Sequence, residues 1–101
     1  MQPVTEAPTM NERPAQDHAR HQELIERWIE PNPYRPGPDN VRVRDYGVPV
    51  WALVGHALAT RRPPEQVASD YAIPPEAAEA ALAYYRVNQQ VIEARLKANA
   101  A

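Results

Sequence analysis

The chain contains no cysteine, which removes both a disulfide framework and thiol chemistry and fits a reducing compartment such as the cytoplasm. It has one serine, Ser69, and three histidines. His18 and His21 share a helix face near Asp17 at a spacing that would hold a metal only weakly, and on an acidic segment they read as surface polar residues. His56 falls at the border of an apolar helix. No nucleophile, base and orienting group come together, so the expectation is a protein that is not an enzyme and that carries no metal or cofactor. A long apolar run is also missing. The most apolar stretch, VPVWALVGHALA (48–59), is too short to span a bilayer and runs into Arg61-Arg62, so it reads as a core helix with no membrane role. The start, MQPVTEAPTMNERPAQ, lacks a basic-then-apolar leader pattern and is expected to be a disordered tail over residues 1–16.

Net charge is small, −2, which is not the balance of a general nucleic-acid binder. Its distribution is uneven. Residues 1–30 carry three Arg against six acids, residues 31–62 five Arg against two, and residues 63–101 three basic residues against five acids. A polyanion contact is therefore expected in the middle third, at Arg42 and Arg44 on a short strand and at Arg61 and Arg62 at the mouth of a turn. The fifth arginine of that third, Arg35, lies in a loop and belongs to the same expected contact region.

What is abundant is proline, twelve residues, and its placement punctuates the chain. Proline in the first helical turn sacrifices no hydrogen bond and its φ is already helical, and a following glutamate sits at the positive end of the macrodipole. The stretch PPEQVASDYAIPPEAAEAALAYY (63–85) does this twice, eleven residues apart. Ile73 must leave the first helix because it precedes Pro74. A helix of about two turns, a three-residue connector and a second helix result, the spacing of a helix-turn-helix. In that frame Ala68 marks the closest approach, Val67, Tyr71, Ile73, Ala78 and Ala81 are the apolar positions, and Ala72 occupies the usual glycine position of the turn. The second helix would present Pro74, Pro75, Glu76, Ala77, Glu79 and Ala80, a poor set for reading base edges or phosphates.

Elsewhere a helix is predicted over residues 17–30, with Leu24, Ile25, Trp28 and Ile29 on one face and Pro31 and Pro33 stopping it. PNPYRPGPDN is a loop. VRVRDY alternates, Val41 and Val43 opposite Arg42 and Arg44, as a half-buried strand does. Its partner is either the piece around Val48 or the same strand of a second subunit. A helix follows from Val50 to about Thr60. The last helix is predicted from Pro75 to nearly Ala98, about 24 residues and ~36 Å. It carries two apolar stripes, Ala78-Leu82-Tyr85-Ile92-Leu96 and Ala80-Tyr84-Val87-Val91. Two apolar faces imply two partners, and a body of about 70 residues covers little surface itself, so a homodimer is expected, the alternative being packing of the second stripe on the N-terminal helix alone. The expected interface residues are Val41, Val43, Tyr84, Val87, Val91 and Trp28.

Residues 31–98 resemble the bacterial and archaeal domain of unknown function family 433. The resemblance rests on Asn32-Pro33, Val48-Pro49-Val50, Pro64-Glu65-Gln66-Val67 with Asp70-Tyr71, and most specifically Ala80-Ala81-Leu82-Ala83-Tyr84-Tyr85. It implies a mainly α fold over residues 31–101: a small helix-turn-helix domain of homeodomain-like or winged-helix-like kind, with one short N-terminal β-strand and a long C-terminal helix. It also implies a dimeric antitoxin that silences a PIN-like nuclease toxin and represses its own promoter. The Gly-Thr-Arg turn of the family is Asp45-Tyr46-Gly47 here, so the family arginine is lost and a negative charge is added. The expected function is a dimeric DNA-binding antitoxin or repressor, and the alternative is a protein-interaction module of the same fold without DNA binding.

Overall fold

The structure, a computed structural model, describes residues 18–100. The tail expected over residues 1–16, and Asp17 at the expected start of the first helix, lie outside them. The architecture is mainly helical. Helix α1 covers residues 18–28, followed by β1 (Ile29–Glu30), a 3-10 turn (Pro38–Asn40), β2 (Arg42–Val43), α2 (Val50–Thr60), α3 (Pro64–Tyr71), α4 (Pro75–Val87) and α5 (Gln89–Ala100). No helix among the described residues is long and apolar enough to cross a membrane.

The N-terminal helix ends two residues earlier than its periodicity suggests, because Ile29 and Glu30 leave it to pair antiparallel with Val43 and Arg42. The two-residue strand buries Ile29 beside Val43, and the apolar gain outweighs one more helical bond. The other edge of β2 is closed by an Arg42–Pro49 bridge, with Val43 N donating to Val48 O (2.8 Å) and Val50 N to Val41 O (3.1 Å). One of the two expected partners, the piece around Val48, is thus present. The second is the chain's own β1, and no second subunit is required. The connector turns through Asp45 and Gly47, both at positive φ (71° and 72°).

Helix α2 buries Val50, Leu53, Val54 and Ala57. Gly55 lies against α5 so closely that a Cβ there would come within 2.9 Å of Leu96 Cδ2. Both Pro-Pro-Glu starts open helices, with Pro63 and Pro74 as extended N-caps. Helix α3 closes with Ala72 in the left-handed conformation (φ 57°), Ile73 N donating to Ala68 O and Ala72 N to Ser69 O. This is the Schellman arrangement, usually built on glycine.

The last helix is not continuous. Asn88 (φ −122°, ψ 46°) interrupts it, and its side chain donates to Tyr84 O (3.1 Å). The interruption redirects α5 onto α2 and the 3-10 turn, where Ile92 is fully buried. Arg95 there stacks on Trp51 (4.8 Å) and donates to Asp39 (3.1 Å) and Asn40 (2.6 Å). The two shorter helices bury Ile92 and half-bury Leu96. The largest fully buried side chains, Leu53, Ile92, Val43, Val50, Val54 and Val67, come from β2, α2, α3 and α5.

Candidate functional site

The four arginines of the middle third do not form one cationic surface. Arg42 sits opposite Glu30 across the strand pair and donates through Nε to its carboxylate (2.8 Å). Arg44 reaches the same carboxylate (3.4 Å) and spends the rest of its guanidinium on the end of α1, donating to the carbonyls of Arg27 (3.2 Å), Glu26 (3.3 Å) and Ile29 (3.3 Å). Its backbone N–H meets the Trp28 carbonyl (2.6 Å). The last carbonyls of a helix have no intrahelical partner and carry the negative end of the macrodipole, so a guanidinium there is a C-terminal cap. Arg44 is therefore tied to α1, where the alternation alone had placed it on an open face.

Arg62 grips Asp70 with both arms of its fork, Nε to Oδ2 (2.9 Å) and Nη2 to Oδ1 (3.2 Å). His56 Nε2 reaches the same carboxylate (2.9 Å), and its ring stands edge-on to Tyr71. The hydrogen bond from His56, and then Arg62, holds the Asp70 carboxyl below its ordinary value against some desolvation. The sequence pattern suggests a helix-dipole role for Asp70. Its actual place, the last turn of α3, is unfavourable for a carboxylate, and His56 and Arg62 compensate. The cluster straps α2 to α3; it has no nucleophile beside it. Arg61 differs: it is the left-handed cap of α2, its side chain is exposed, and it makes no ion pair among the described residues.

Helix α4, the helix expected to present itself outward, is instead the central one. Six of its thirteen residues are buried. Val67, Ala68, Ile73, Ala78 and Ala81 of the expected apolar frame are all inside, with Tyr71 half-buried. Ala77 and Ala80, expected on the outward face, are both 0% exposed. The reason is packing from several sides: β1, α2 and α3 all contact α4. Helix α1 lies across its remaining flank. Arg20 pairs with Glu79 (3.1 Å) and Arg27 with Glu76 (3.8 Å), an antiparallel order, and Ala83 beneath is 1% exposed. Sequence reasoning assigned Arg20 and Arg27 no role. The available signal was their separation of seven residues, two helical turns on one face.

The expected interface residues separate into two groups. Val41, Val43 and Tyr84 are buried in the chain's own core, so a second subunit cannot reach them. The Tyr84 hydroxyl donates to the Pro38 carbonyl (2.6 Å), and burial, with Asp39 nearby, pushes its ionisation up. Trp28 is half-buried, its indole Nε1 inside without an acceptor. Val87 (45% exposed) and Val91 flank the Asn88 interruption and remain accessible. The second apolar stripe is thus divided, its first half used internally.

Between α1 and α4 runs an open groove of about 340 Å³, lined by Arg20, His21 and Leu24 on one side and Glu79, Leu82 and Arg86 on the other. Arg86 has no carboxylate partner among the described residues. No three His, Asp or Glu side chains among the described residues converge as a metal site. No family model, curated protein or solved structure matches the chain.

Proposed function

We propose that the protein is an interaction module built on a helix-turn-helix-like α3–α4 unit that is not used to read DNA. The observation that carries this reading is the environment of α4. A recognition helix must enter a groove about 12 Å wide with its outward face free. Here Ala77 and Ala80 are buried, and Glu76 and Glu79 are engaged by Arg27 and Arg20 of α1. Binding to DNA also draws on phosphate contacts from free cations. Arg42, Arg44 and Arg62 are each paired with a carboxylate of their own chain. The antitoxin role implied by the resemblance to family 433 needs only a protein interface, and a PIN-like nuclease toxin is the partner it suggests. Val87, which is exposed, and the half-buried Val91 belong to that interface.

The DNA-binding repressor reading draws on one specific observation, the exposed and unpaired Arg61 beside the turn. Fluorescence anisotropy with the upstream duplex of the gene and a scrambled duplex, at two salt concentrations, separates the two. The interaction-module reading expects no sequence-selective binding by the folded protein. Selective, salt-sensitive binding that weakens in Arg61→Ala would overturn it.

A further inference from the structure

Helix α5 is the last element of the fold and is joined to α4 through a single residue, Asn88. The backbone is open on either side of that joint. Among the described residues, the N–H groups of Gln89, Gln90 and Val91 make no hydrogen bond to the carbonyls of Tyr85, Arg86 and Val87, the i→i−4 partners they would have in a continuous helix. Asn88 does not cap α5 in their place. Its backbone N–H (2.8 Å) and its side-chain amide (3.1 Å) both donate back to Tyr84 O. Nothing in the local sequence demands the break, since no proline or glycine occurs from Glu76 to Ala100. The joint stays open because α5 turns back onto α2 and the 3-10 turn.

The seat it occupies there is shaped to this helix. Ile92 is fully buried, Leu96 closes on Gly55, and Arg95 stacks on Trp51 while donating to Asp39 and Asn40. A helix of another sequence would forfeit these contacts, whereas α5 of a second copy brings every one of them. Exchange between two copies therefore leaves the seat as it is and alters only the joint, whose open backbone pairs close when it straightens.

We propose that the chain forms a domain-swapped homodimer in which α4 and α5 run as one helix through Asn88 and α5 of each copy occupies the α2 seat of the other. The freedom lost on association opposes the gain at the joint, so the dimer grows with concentration. Exchange is slow, because α5 must leave its seat first. Val87 and Val91 then stand one turn apart on a continuous helix face, and the interface assigned to them above is present once on each copy.

The test uses two full chains, Asp39→Arg and Arg95→Asp, each of which puts like charges together at the seat. They are unfolded, mixed and refolded at high concentration, and the pairing is read by native mass spectrometry after circular dichroism has checked each fold. In a swapped dimer, Arg95 of the first chain meets Asp39 of the second, and the two substituted positions meet in the other seat. Mixed dimers should therefore exceed the half that random pairing gives. Light scattering on hinge variants does not depend on these charges and decides the matter if either chain fails to fold. Asn88→Ala removes the bond to Tyr84 O and favours helix, and should raise the dimer fraction several-fold over the unmodified chain. A short Gly-Ser insertion after Asn88 lets α5 fold back without an interrupted helix, and should leave monomers. Random pairing of the charge variants would overturn the proposal by giving the contact to another face. So would a dimer that survives the insertion, or an unmodified chain and an Asn88→Ala variant that both stay monomeric after concentrated refolding. The duplex experiment is independent of these outcomes: selective DNA binding removes the functional reading without altering how α5 pairs.

Discussion

Arg44→Ala is expected to destabilise the fold by about 1.5 kcal/mol, although the alternation of VRVRDY marks Arg44 as a solvent-exposed position and it lies in the turn after β2. The guanidinium donates to the Glu26 and Arg27 carbonyls in the last turn of α1 and to the Ile29 carbonyl just after it, all at 3.2–3.3 Å, and touches Glu30 at 3.4 Å. Hydrogen bonds contribute roughly 0.5–1.5 kcal/mol each, and a cation at a helix C-terminus about 0.3–1. The bonds are long and the side chain is 43% exposed, so the lower bound of each applies. Three bonds at about 0.5 kcal/mol then carry most of the effect. For a chain of this size that lowers Tm by roughly 6–12 °C. Urea unfolding followed by circular dichroism is the assay, with hydrogen exchange over α1 alongside. Exchange in residues 18–28 should rise more than in α2, because the lost contacts belong to α1. Arg44→Lys keeps the charge but not the fork, and should recover less than half of the loss. Unchanged urea midpoint in Arg44→Ala, with α1 as protected as before, would refute the capping role and return Arg44 to the pool of free surface cations.

Three further outcomes follow from the same geometry. Ala72→Gly should stabilise the protein by about 0.5–1 kcal/mol in urea unfolding: relief of a left-handed alanine yields roughly 1–2, and the freer unfolded chain takes back about 0.4–1. Asp70 has a depressed carboxyl, so its contribution is present above its ordinary 3.8 and is lost as pH falls through the lower folded value. An acid titration of stability should therefore lose part of its slope below that pH in Asp70→Asn, and an identical acid limb would count against the His56–Asp70–Arg62 strap. Gly55→Val should cost about 1–3 kcal/mol by overpacking against Leu96, and Leu96→Ala in the same chain should restore part of it. A strictly additive double mutant would show that α2 and α5 do not meet there.

Much of the fold was legible in the residues. The Pro-Pro-Glu starts located α3 and α4 because proline acts on its own φ and on its predecessor, which needs no tertiary information. The apolar spacing of Trp51, Val54, Ala57 and Leu58 located α2 in the same way, although Leu58 is exposed and Val50 and Leu53 are the residues buried beside Val54 and Ala57. What failed depended on distant partners. The early end of α1 at Trp28 required knowing that Ile29 would meet Val43, fourteen residues away. The break at Asn88 lies inside a pattern that continues as helix on both sides; only the chance to bury Ile92 against the core shows why the chain bends. The candidate site was the least legible part. Arg42 does lie on a strand and Glu76 and Glu79 on a helix, but Arg44 falls in the turn after β2, and the sequence did not show which of these charges would meet.

By itself the sequence determined a mainly helical chain and the positions where α2, α3 and α4 start. Those follow from backbone sterics, capping and composition, which act within a few residues. The tertiary structure alone decided where the charges go. The middle third is net positive by three as written, yet Arg42 and Arg44 take Glu30 from the first third and Arg62 takes Asp70 from the last. Coulombic pairing depends on distance in space, and screening removes it beyond about 8–10 Å, so charge segregation along a chain does not survive folding unless the folded neighbours share its sign. The same holds for α4. Its alanines and glutamates describe a helix that could face outward or sit at the centre, and packing by β1, α1, α2 and α3 placed it at the centre.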